Sequence, residues 1–431
     1  MNFNPLKEKG IPLEKQVRTW HNIASRKFNK NEVDAHSRTR QILMNGIEIE
    51  VWNFKHNFAR ICKDKDTLEF LAQTKRIEDA HQTTVNWMAP ADQSVLETTL
   101  GYEQVAVDLT AWLAQNEPDP YVRETFDFGL LEDFDHLYRY AQWAYMEHGI
   151  SANEILQGKT DVYPGRPTQF HHNCNIIRLR KPYEKEKTSP QTKINILTVL
   201  SGEQQTHNYY AEHGFAYGNE LLRETYAEIK DVEEEHVTMY ESLIDPTETL
   251  YEKLLLREFM EVCTYHNCYI DEKHPVLKGI WEEFLAMEID HLQSAAKLFE
   301  KYEKRDPAEI IGEEVILPCH FEEQKNYVTK ILEKEVGKRL ASNGEFAYIK
   351  DLPDNWGSYG IQESANKDGS PSEITIRAIT EQKDRDLILA DESLEEKLPK
   401  IIEHGMQNKG VAPKTVTVEE YKEMNKEDFL L

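Results

Sequence analysis

Residues 277–298 read LKGIWEEFLAMEIDHLQSAAKL and carry a stripe of side chains in steps of four and three residues. The stripe consists of Leu277, Trp281, Phe284, Glu288, His291, Ala295 and Leu298. Steps of this size fall on one face of an α-helix, the face that a helix buries in a bundle. An acid and a histidine therefore occupy positions that should be apolar. Because a lone buried carboxylate is costly unless it is paired or ligated, the pattern predicts a binding partner inside a helical bundle.

The acid-x-x-His motif occurs at four equivalent places, and each motif acid lies 30 residues after a glutamate. The motifs are Glu78–His81, Asp133–His136, Glu233–His236 and Glu288–His291. The preceding glutamates are Glu48, Glu103, Glu203 and Glu258. The first motif lies 55 residues before the second, the third lies 55 before the fourth, and the first pair lies 155 before the last pair. Eight acids and four histidines in equivalent buried positions predict divalent cations as their common partner.

Turn signals support this arrangement of helices. Residues at one level on neighbouring helices are equidistant from the turn between them, so the midpoints of successive acids should be turns. Each midpoint carries a proline, a glycine or a charged tetrad. The midpoints are Lys63–Asp66, Pro90, Pro118, Gly218, Asp245–Pro246 and Lys273–Pro275. The sequence therefore predicts an all-α fold with helices of roughly 20–28 residues joined by short loops.

The motif pattern resembles the ferritin-like superfamily of carboxylate-bridged dimetal proteins, in which glutamates and Glu-x-x-His motifs on partner helices hold a metal pair. The resemblance covers about residues 41–150 and again 191–303, and it implies two tandem four-helix bundles. It implies dinuclear iron as the cofactor, with manganese as the alternative. The implied metal ligands are Glu48, Glu78, His81, Glu103, Asp133 and His136 in the first half and Glu203, Glu233, His236, Glu258, Glu288 and His291 in the second. Asp133 departs from the superfamily's usual glutamate, because its side chain is one methylene shorter.

Two pairings of the helical hairpins fit this pattern. We prefer the pairing in which the hairpins of each half face each other, because the loops at Pro90 and at Asp245–Pro246 look short. In the alternative, residues 151–190 form the crossover, and the hairpin of Glu103 faces the hairpin of Glu203. Four neighbouring residues are further candidate ligands. Glu50 is a substitute for Glu48, and Glu132 is a substitute for Asp133. Glu261 and His207 are candidates for additional ligands.

Composition shifts along the chain predict five regions. They are an N-terminal extension (1–40), bundle 1 (41–150), an irregular connector (151–190), bundle 2 (191–303) and a small mixed C-terminal extension (304–431). Within the last region, residues 372–379 alternate like a β-strand.

The bulk properties restrict the class of protein. The chain has 431 residues, a formal net charge of −26, and 39% hydrophobic and 30% charged residues. This is a soluble globular composition, and its negative charge argues against nucleic acid or an anionic membrane as a partner. No apolar run approaches transmembrane length, and no signal peptide opens the chain. Five scattered cysteines fit a reducing compartment, so we expect a cytoplasmic protein.

These observations together predict an oxidoreductase with a dinuclear iron or manganese centre that activates dioxygen or peroxide. The leading hypothesis is an oxygenase or oxidase of a small organic substrate. Its partners would be that substrate, dioxygen and an electron donor that the sequence does not identify, and a homodimer stays open. Two other hypotheses also stay open: a non-catalytic iron-binding or storage protein, and a metal-free helical scaffold.

Overall fold

The computed structural model describes residues 3–24, 26–162, 165–341 and 344–375, and most of these residues are helical. The α-helices are α1 (Trp20–Ile23), α2 (Ala35–Ile61), α3 (Lys65–Trp87), α4 (Val95–Asn116), α5 (Pro120–His148), α6 (Ala152–Leu156), α7 (Asn175–Arg178), α8 (Pro190–His213), α9 (Glu220–Glu241), α10 (Leu250–Asp271), α11 (Pro275–Glu303), α12 (Ala308–Ile311), α13 (Lys325–Glu335) and α14 (Ser358–Ala365). Short 3₁₀ turns lie at Leu13–Lys15, Thr168–Phe170, Gly214–Ala216 and Ile349–Asp351. Strands β1 (Lys338–Leu340) and β2 (Phe346–Tyr348) pair antiparallel, with Arg339 opposite Ala347. The predicted all-α class is confirmed for the described residues.

Local capping determines where the long helices begin. At the start of α4, the Ser94 hydroxyl accepts a hydrogen bond from the Glu97 amide (3.2 Å), and the Glu97 carboxylate accepts one from the Ser94 amide (2.7 Å). This reciprocal pair satisfies two helix-end donors that have no partner within the helix. The Asp119 carboxylate caps α5 by accepting hydrogen bonds from the Tyr121 and Val122 amides, and Pro120 occupies the first helical position. Each of the six predicted turns lies at a junction between two long helices, and those helices have 22 to 29 residues.

The long helices associate as four hairpins around a central group. Helices α2 and α8 contact each other there, and each of them also contacts α4 and α10. Helices α3, α5, α9 and α11 each pack mainly on the helix next to them in the chain. Among these outer helices, α3 touches α11, and α5 touches α9. The hairpin α2/α3 therefore faces α10/α11, and α4/α5 faces α8/α9. The preferred pairing within each half of the sequence is wrong, because short loops join helices without deciding which hairpins share a buried face.

Gly46 on α2 permits close contact with α8 at the centre of the molecule. A β-carbon at this position would lie 2.7 Å from the backbone oxygen of Ser201. Since a backbone atom cannot rotate away, one of the two helices would have to shift.

We expect Gly46→Ala to lower the free energy of unfolding by about 1–3 kcal/mol, the usual effect of an overpacked core. Urea unfolding of the purified protein would measure the change. Gly279→Ala on α11 is the matched control, since that glycine is exposed and has nothing within 4 Å of the added carbon. The control should gain about 0.5–1 kcal/mol from helix propensity. Equal effects of the two substitutions would contradict the close contact.

The N-terminal segment lies along α11. The amide of Ile11 donates to the Ala286 backbone oxygen (2.7 Å), and the amide of Leu13 donates to the Asp290 carboxylate (3.1 Å). These bonds hold residues 11–13 against α11 at the level of the fourth motif.

The predicted strand at residues 372–379 is wrong in its described part, because residues 371–375 form a helical turn. The Glu228 carboxylate accepts hydrogen bonds from the Ser372 amide (2.9 Å) and hydroxyl (2.6 Å) and thereby caps this turn. Residues 376–379 lie outside the described residues. Among the described helices, none has both the length and the apolarity that a membrane span requires.

Candidate metal centres

The twelve predicted ligand residues come together in two buried clusters. The first cluster is Glu48, Glu78, His81, Glu258, Glu288 and His291. The second cluster is Glu103, Asp133, His136, Glu203, Glu233 and His236. Eleven of the twelve residues are completely inaccessible to solvent, and Glu203 is 2% exposed. Each cluster takes three residues from each half of the sequence, so the two ligand sets that we preferred, one per half, are wrong, and the alternative hairpin pairing is correct.

Each cluster contains two groups of atoms that are close enough to share one ion. In the first cluster, ligand atoms of Glu78, Glu258, Glu288 and His291 lie within 4.8 Å of one another, and so do those of Glu48, His81 and Glu288. In the second cluster, the corresponding groups are Asp133, Glu203, Glu233 and His236, and Glu103, His136 and Glu233. Glu288 and Glu233 belong to both groups of their clusters. Each of these two carboxylates therefore lies in a bridging position.

The contacts of the bridging carboxylates support this geometry. Oε1 of Glu288 lies 2.9 Å from Nδ1 of His81, and Oε2 lies 2.8 Å from Nδ1 of His291. In the second cluster, Oε1 of Glu233 lies 2.8 Å from Nδ1 of His136, and Oε2 lies 3.3 Å from Nδ1 of His236. All four histidines thus present Nδ1 to the interior of a cluster, with one carboxylate oxygen beside each.

Hydrogen bonds outside the first cluster determine the protonation of His291. Its Nε2 lies 2.7 Å from Oε1 of Gln16, whose amide nitrogen donates to the backbone oxygens of Ile11 and Met287. Because Oε1 can only accept, Nε2 of His291 must carry a proton. In the neutral ring, Nδ1 is then an acceptor that faces another acceptor, Oε2 of Glu288, at 2.8 Å. A cation or a proton between these two atoms is therefore required.

His236 has the same relation to Glu132. Its Nε2 donates to Oε2 of Glu132 at 2.8 Å, and Arg178 and Arg166 also donate to that carboxylate. Burial opposes ionisation, but the two guanidinium groups hold the pKa of Glu132 well below its usual value. Glu132 therefore remains an acceptor and leaves Nδ1 of His236 to face the cluster. Metal-bound histidines commonly donate their other ring nitrogen in this way.

Six buried carboxylate oxygens in the clusters have neither a hydrogen bond nor an ion pair with the described residues. They are Oε2 of Glu48, Oε2 of Glu78, Oε2 of Glu258, Oε2 of Glu103, Oδ2 of Asp133 and Oε1 of Glu203. Buried polar atoms without partners are rare and destabilising, so these oxygens fit a site for cations.

The electrostatics of the second cluster lead to the same conclusion. Burial, reinforced by neighbouring carboxylates, raises the pKa of Glu103 and of Asp133 well above the usual range. Burial raises the pKa of Glu203 to about 7. Without a cation, these acids therefore hold protons at pH values at which carboxylates are normally ionised. A cation would reverse the shifts, because it stabilises the charged form.

Two tyrosines complete the clusters in a way that the sequence analysis missed. The hydroxyl of Tyr265 donates to Glu48, and the hydroxyl of Tyr210 donates to Glu103. Each tyrosine lies seven residues after a cluster glutamate of its own helix, Glu258 or Glu203. This spacing places the glutamate and the tyrosine on one face of their helix, and the two tyrosines could have been predicted from it. Gln16 had no comparable signal, since it lies 275 residues from His291.

The four residues that the sequence suggested as substitute or additional ligands lie in different places in the structure. Glu50 accepts from Arg257 (2.7 Å) and lies in neither cluster. His207 faces the half-exposed Glu234 at 3.5 Å, also outside the clusters. Glu261 is fully buried beside the first cluster, and neither of its carboxylate oxygens has a hydrogen-bond partner among the described residues. Glu132 supports His236 from outside.

A surface cavity of about 460 Å³ lies beside Tyr210. It lies between α8 and α9, and its lining includes Phe215, Arg223, Lys230 and the same Tyr210 whose hydroxyl bonds to Glu103. The cavity is large enough for a small organic molecule.

Comparisons with protein-family models, with curated proteins and with solved structures found no match to this chain. The class of site is therefore defined by its chemistry: two buried sets of carboxylates and imidazoles, each arranged around a bridging glutamate.

Proposed function

We propose that the protein is a carboxylate-bridged dinuclear iron oxidoreductase that activates dioxygen or peroxide to oxidise a small organic molecule. The observation that carries the proposal is the position of Glu233 and Glu288. Each of these glutamates has one oxygen beside Nδ1 of one histidine and its other oxygen beside Nδ1 of a second histidine. We further propose that each pair of facing hairpins is a ferritin-like bundle, in keeping with the motif pattern. The predicted domain boundaries and cytoplasmic location stay predictions.

The donor set supports iron(II) or manganese(II). Carboxylates outnumber imidazoles two to one in each cluster, and no cysteine is among the donors that the structure brings together. Oxygen-rich sites with imidazole suit these ions, whereas thiolate donors would favour zinc or copper(I). An iron pair of this kind supplies electrons to dioxygen or peroxide when it is bound.

The protein's own residues would position the ions and keep water out. The bridging glutamates set the distance between the two positions of a cluster, and Gln16 and Glu132 orient His291 and His236. Tyr210 holds one oxygen of Glu103 and lines the open cavity, so it lies between a molecule in that cavity and the second cluster. The cavity is therefore the proposed route of the substrate.

Elemental analysis and oxygen consumption would test the proposal. Protein purified without added metal should contain iron or manganese bound to the chain, and the reduced protein should consume dioxygen over many turnovers when a substrate is present. Iron uptake without turnover would instead support storage. Absence of metal after reconstitution, together with stabilisation when Glu233 and Glu288 are both made apolar, would support a metal-free scaffold.

A further inference from the structure

The two clusters differ in a lysine that lies inside only the first. Lys55 on α2 comes seven residues after Glu48, and the equivalent position after Glu103 on α4 is Thr110. The side chain of Lys55 is fully buried. Its Nζ lies 2.6 Å from Oε1 of Glu258 and contacts Oε1 of Glu78. A buried ammonium group requires such carboxylates, because it has lost its hydration.

Glu78 and Glu258 belong to the same group of the first cluster, which they form with Glu288 and His291. The ammonium of Lys55 therefore lies where a cation bound to that group would lie. In the second cluster, the corresponding acids are Asp133 and Glu203, and the ion pairs recorded for them in the described chain are with His236 alone. Among the described residues, only the first cluster thus has a lysine at this position.

An additional acid lies beside the first cluster. Glu261 lies three residues after Glu258 on α10, and the equivalent position after Glu203 is Thr206. Glu261 is fully buried, and neither of its carboxylate oxygens has a hydrogen-bond partner among the described residues. Burial and the nearby carboxylates of Glu288 and Glu48 raise the pKa of Glu261 well above its usual value. Glu261 would therefore be a further carboxylate available to a cation in the first cluster.

From these differences, and on the basis of the proposed function, we propose that the first cluster holds one divalent cation and the second holds two. Lys55 closes the position between Glu78 and Glu258, since an ammonium and a divalent cation at one set of carboxylates repel each other. The open position is the one lined by Glu48, His81 and Glu288. The chain is then asymmetric, with a single-ion site beside a two-ion site.

Metal counting on the full chain would test this inference. The protein is loaded anaerobically with manganese(II), freed of excess metal, and analysed for manganese per chain and by electron paramagnetic resonance. We expect three ions per chain, together with the signal of an isolated manganese ion. In the Glu233→Ala variant, which lacks the bridge of the second cluster, we expect one ion per chain with that isolated signal retained.

The lysine itself is tested by Lys55→Met, which keeps an unbranched side chain that is one atom shorter and removes the charge. In the Glu233→Ala background, this change should raise the manganese content twofold, from one to two, and replace the isolated signal with that of a coupled pair. Lys193→Met is the matched control, because Lys193 is also buried but bonds to the Lys185 backbone oxygen away from both clusters. It should leave the count unchanged.

Several outcomes would overturn the inference. Four ions in the unmodified chain, or two in the Glu233→Ala variant, would show that Lys55 does not exclude a metal. Binding of one ion to each cluster would remove the asymmetry. If the Lys55→Met variant does not fold, the manganese counts of the unmodified chain and of the Glu233→Ala variant still test the inference. Absence of any bound metal would instead refute the proposed function, so the two failures are distinguishable.

Discussion

The Glu233→Ala substitution is expected to empty both metal positions of the second cluster while the first cluster keeps its metal. Glu233 belongs to both groups of the second cluster, with Asp133, Glu203 and His236 on one side and with Glu103 and His136 on the other. Its loss removes a ligand from each position, and among the described residues no other side chain belongs to both groups of this cluster. The first cluster has its own bridge, Glu288, and should be unaffected.

Metal content per chain and the stabilisation by metal would measure this effect. We expect the number of metal ions per chain to fall by two. The increase in melting temperature on metal loading should also become smaller, because ligand binding stabilises the native state by mass action. Glu234→Ala is the matched control on the next residue, where the side chain is 47% exposed. The control should retain the full count. A variant at Glu233 that still bound two ions in the second cluster would refute the bridging role.

The second large effect concerns pH. The metal-free protein is expected to lose stability as the pH rises from about 5 to about 9. Burial raises the pKa of Glu203 to about 7. Burial opposes the charged form of His81, but Glu288 and Glu48 raise its pKa to about 9. A group with a raised folded-state pKa contributes stability that is fully present below its unfolded pKa and is lost as the pH passes through the folded value. For Glu203, a rise from 4.5 to about 7 corresponds to about 3 kcal/mol.

The metal-loaded protein should show the opposite trend over the same range. Metal ions bind the deprotonated carboxylates and the neutral imidazoles, so affinity increases with pH. The difference in unfolding free energy between loaded and metal-free protein should therefore widen from pH 5 to pH 9. Urea unfolding with chelator or with metal at several pH values would measure it. Glu203→Gln is the control that should flatten the metal-free curve below about pH 7. A metal-free protein that became more stable over this range would contradict the assignment.

The positions of the helices and turns could be predicted from the sequence because both follow from local rules. Apolar steps of four and three identify the buried face of each helix, and the capping residues at Ser94 and Asp119 mark where helices begin. The same rule shows that Glu233 and Glu288 point inward, since they lie in the stripe of their own helix.

Contacts between segments that are far apart in the chain could not be predicted from local spacing. The stripe shows that a helix face is buried but not which helix covers it, and the pairing of hairpins was therefore predicted wrongly. Gln16 reaches His291 from a segment without periodic pattern. Lys55 lies on the same helix face as Glu48, yet its partners Glu78 and Glu258 come from two other helices. Its position relative to the cluster is visible only when those helices are assembled.

The sequence by itself determined that this is an all-helical protein with acids and histidines at equivalent inward positions, because helix periodicity and capping depend on residues a few positions apart. Only the tertiary structure decided how those residues divide into two clusters, which carboxylates bridge, and that Lys55 enters one cluster and not the other. Those features depend on packing between hairpins far apart in the chain, where shape and charge complementarity leave no regular spacing in the sequence.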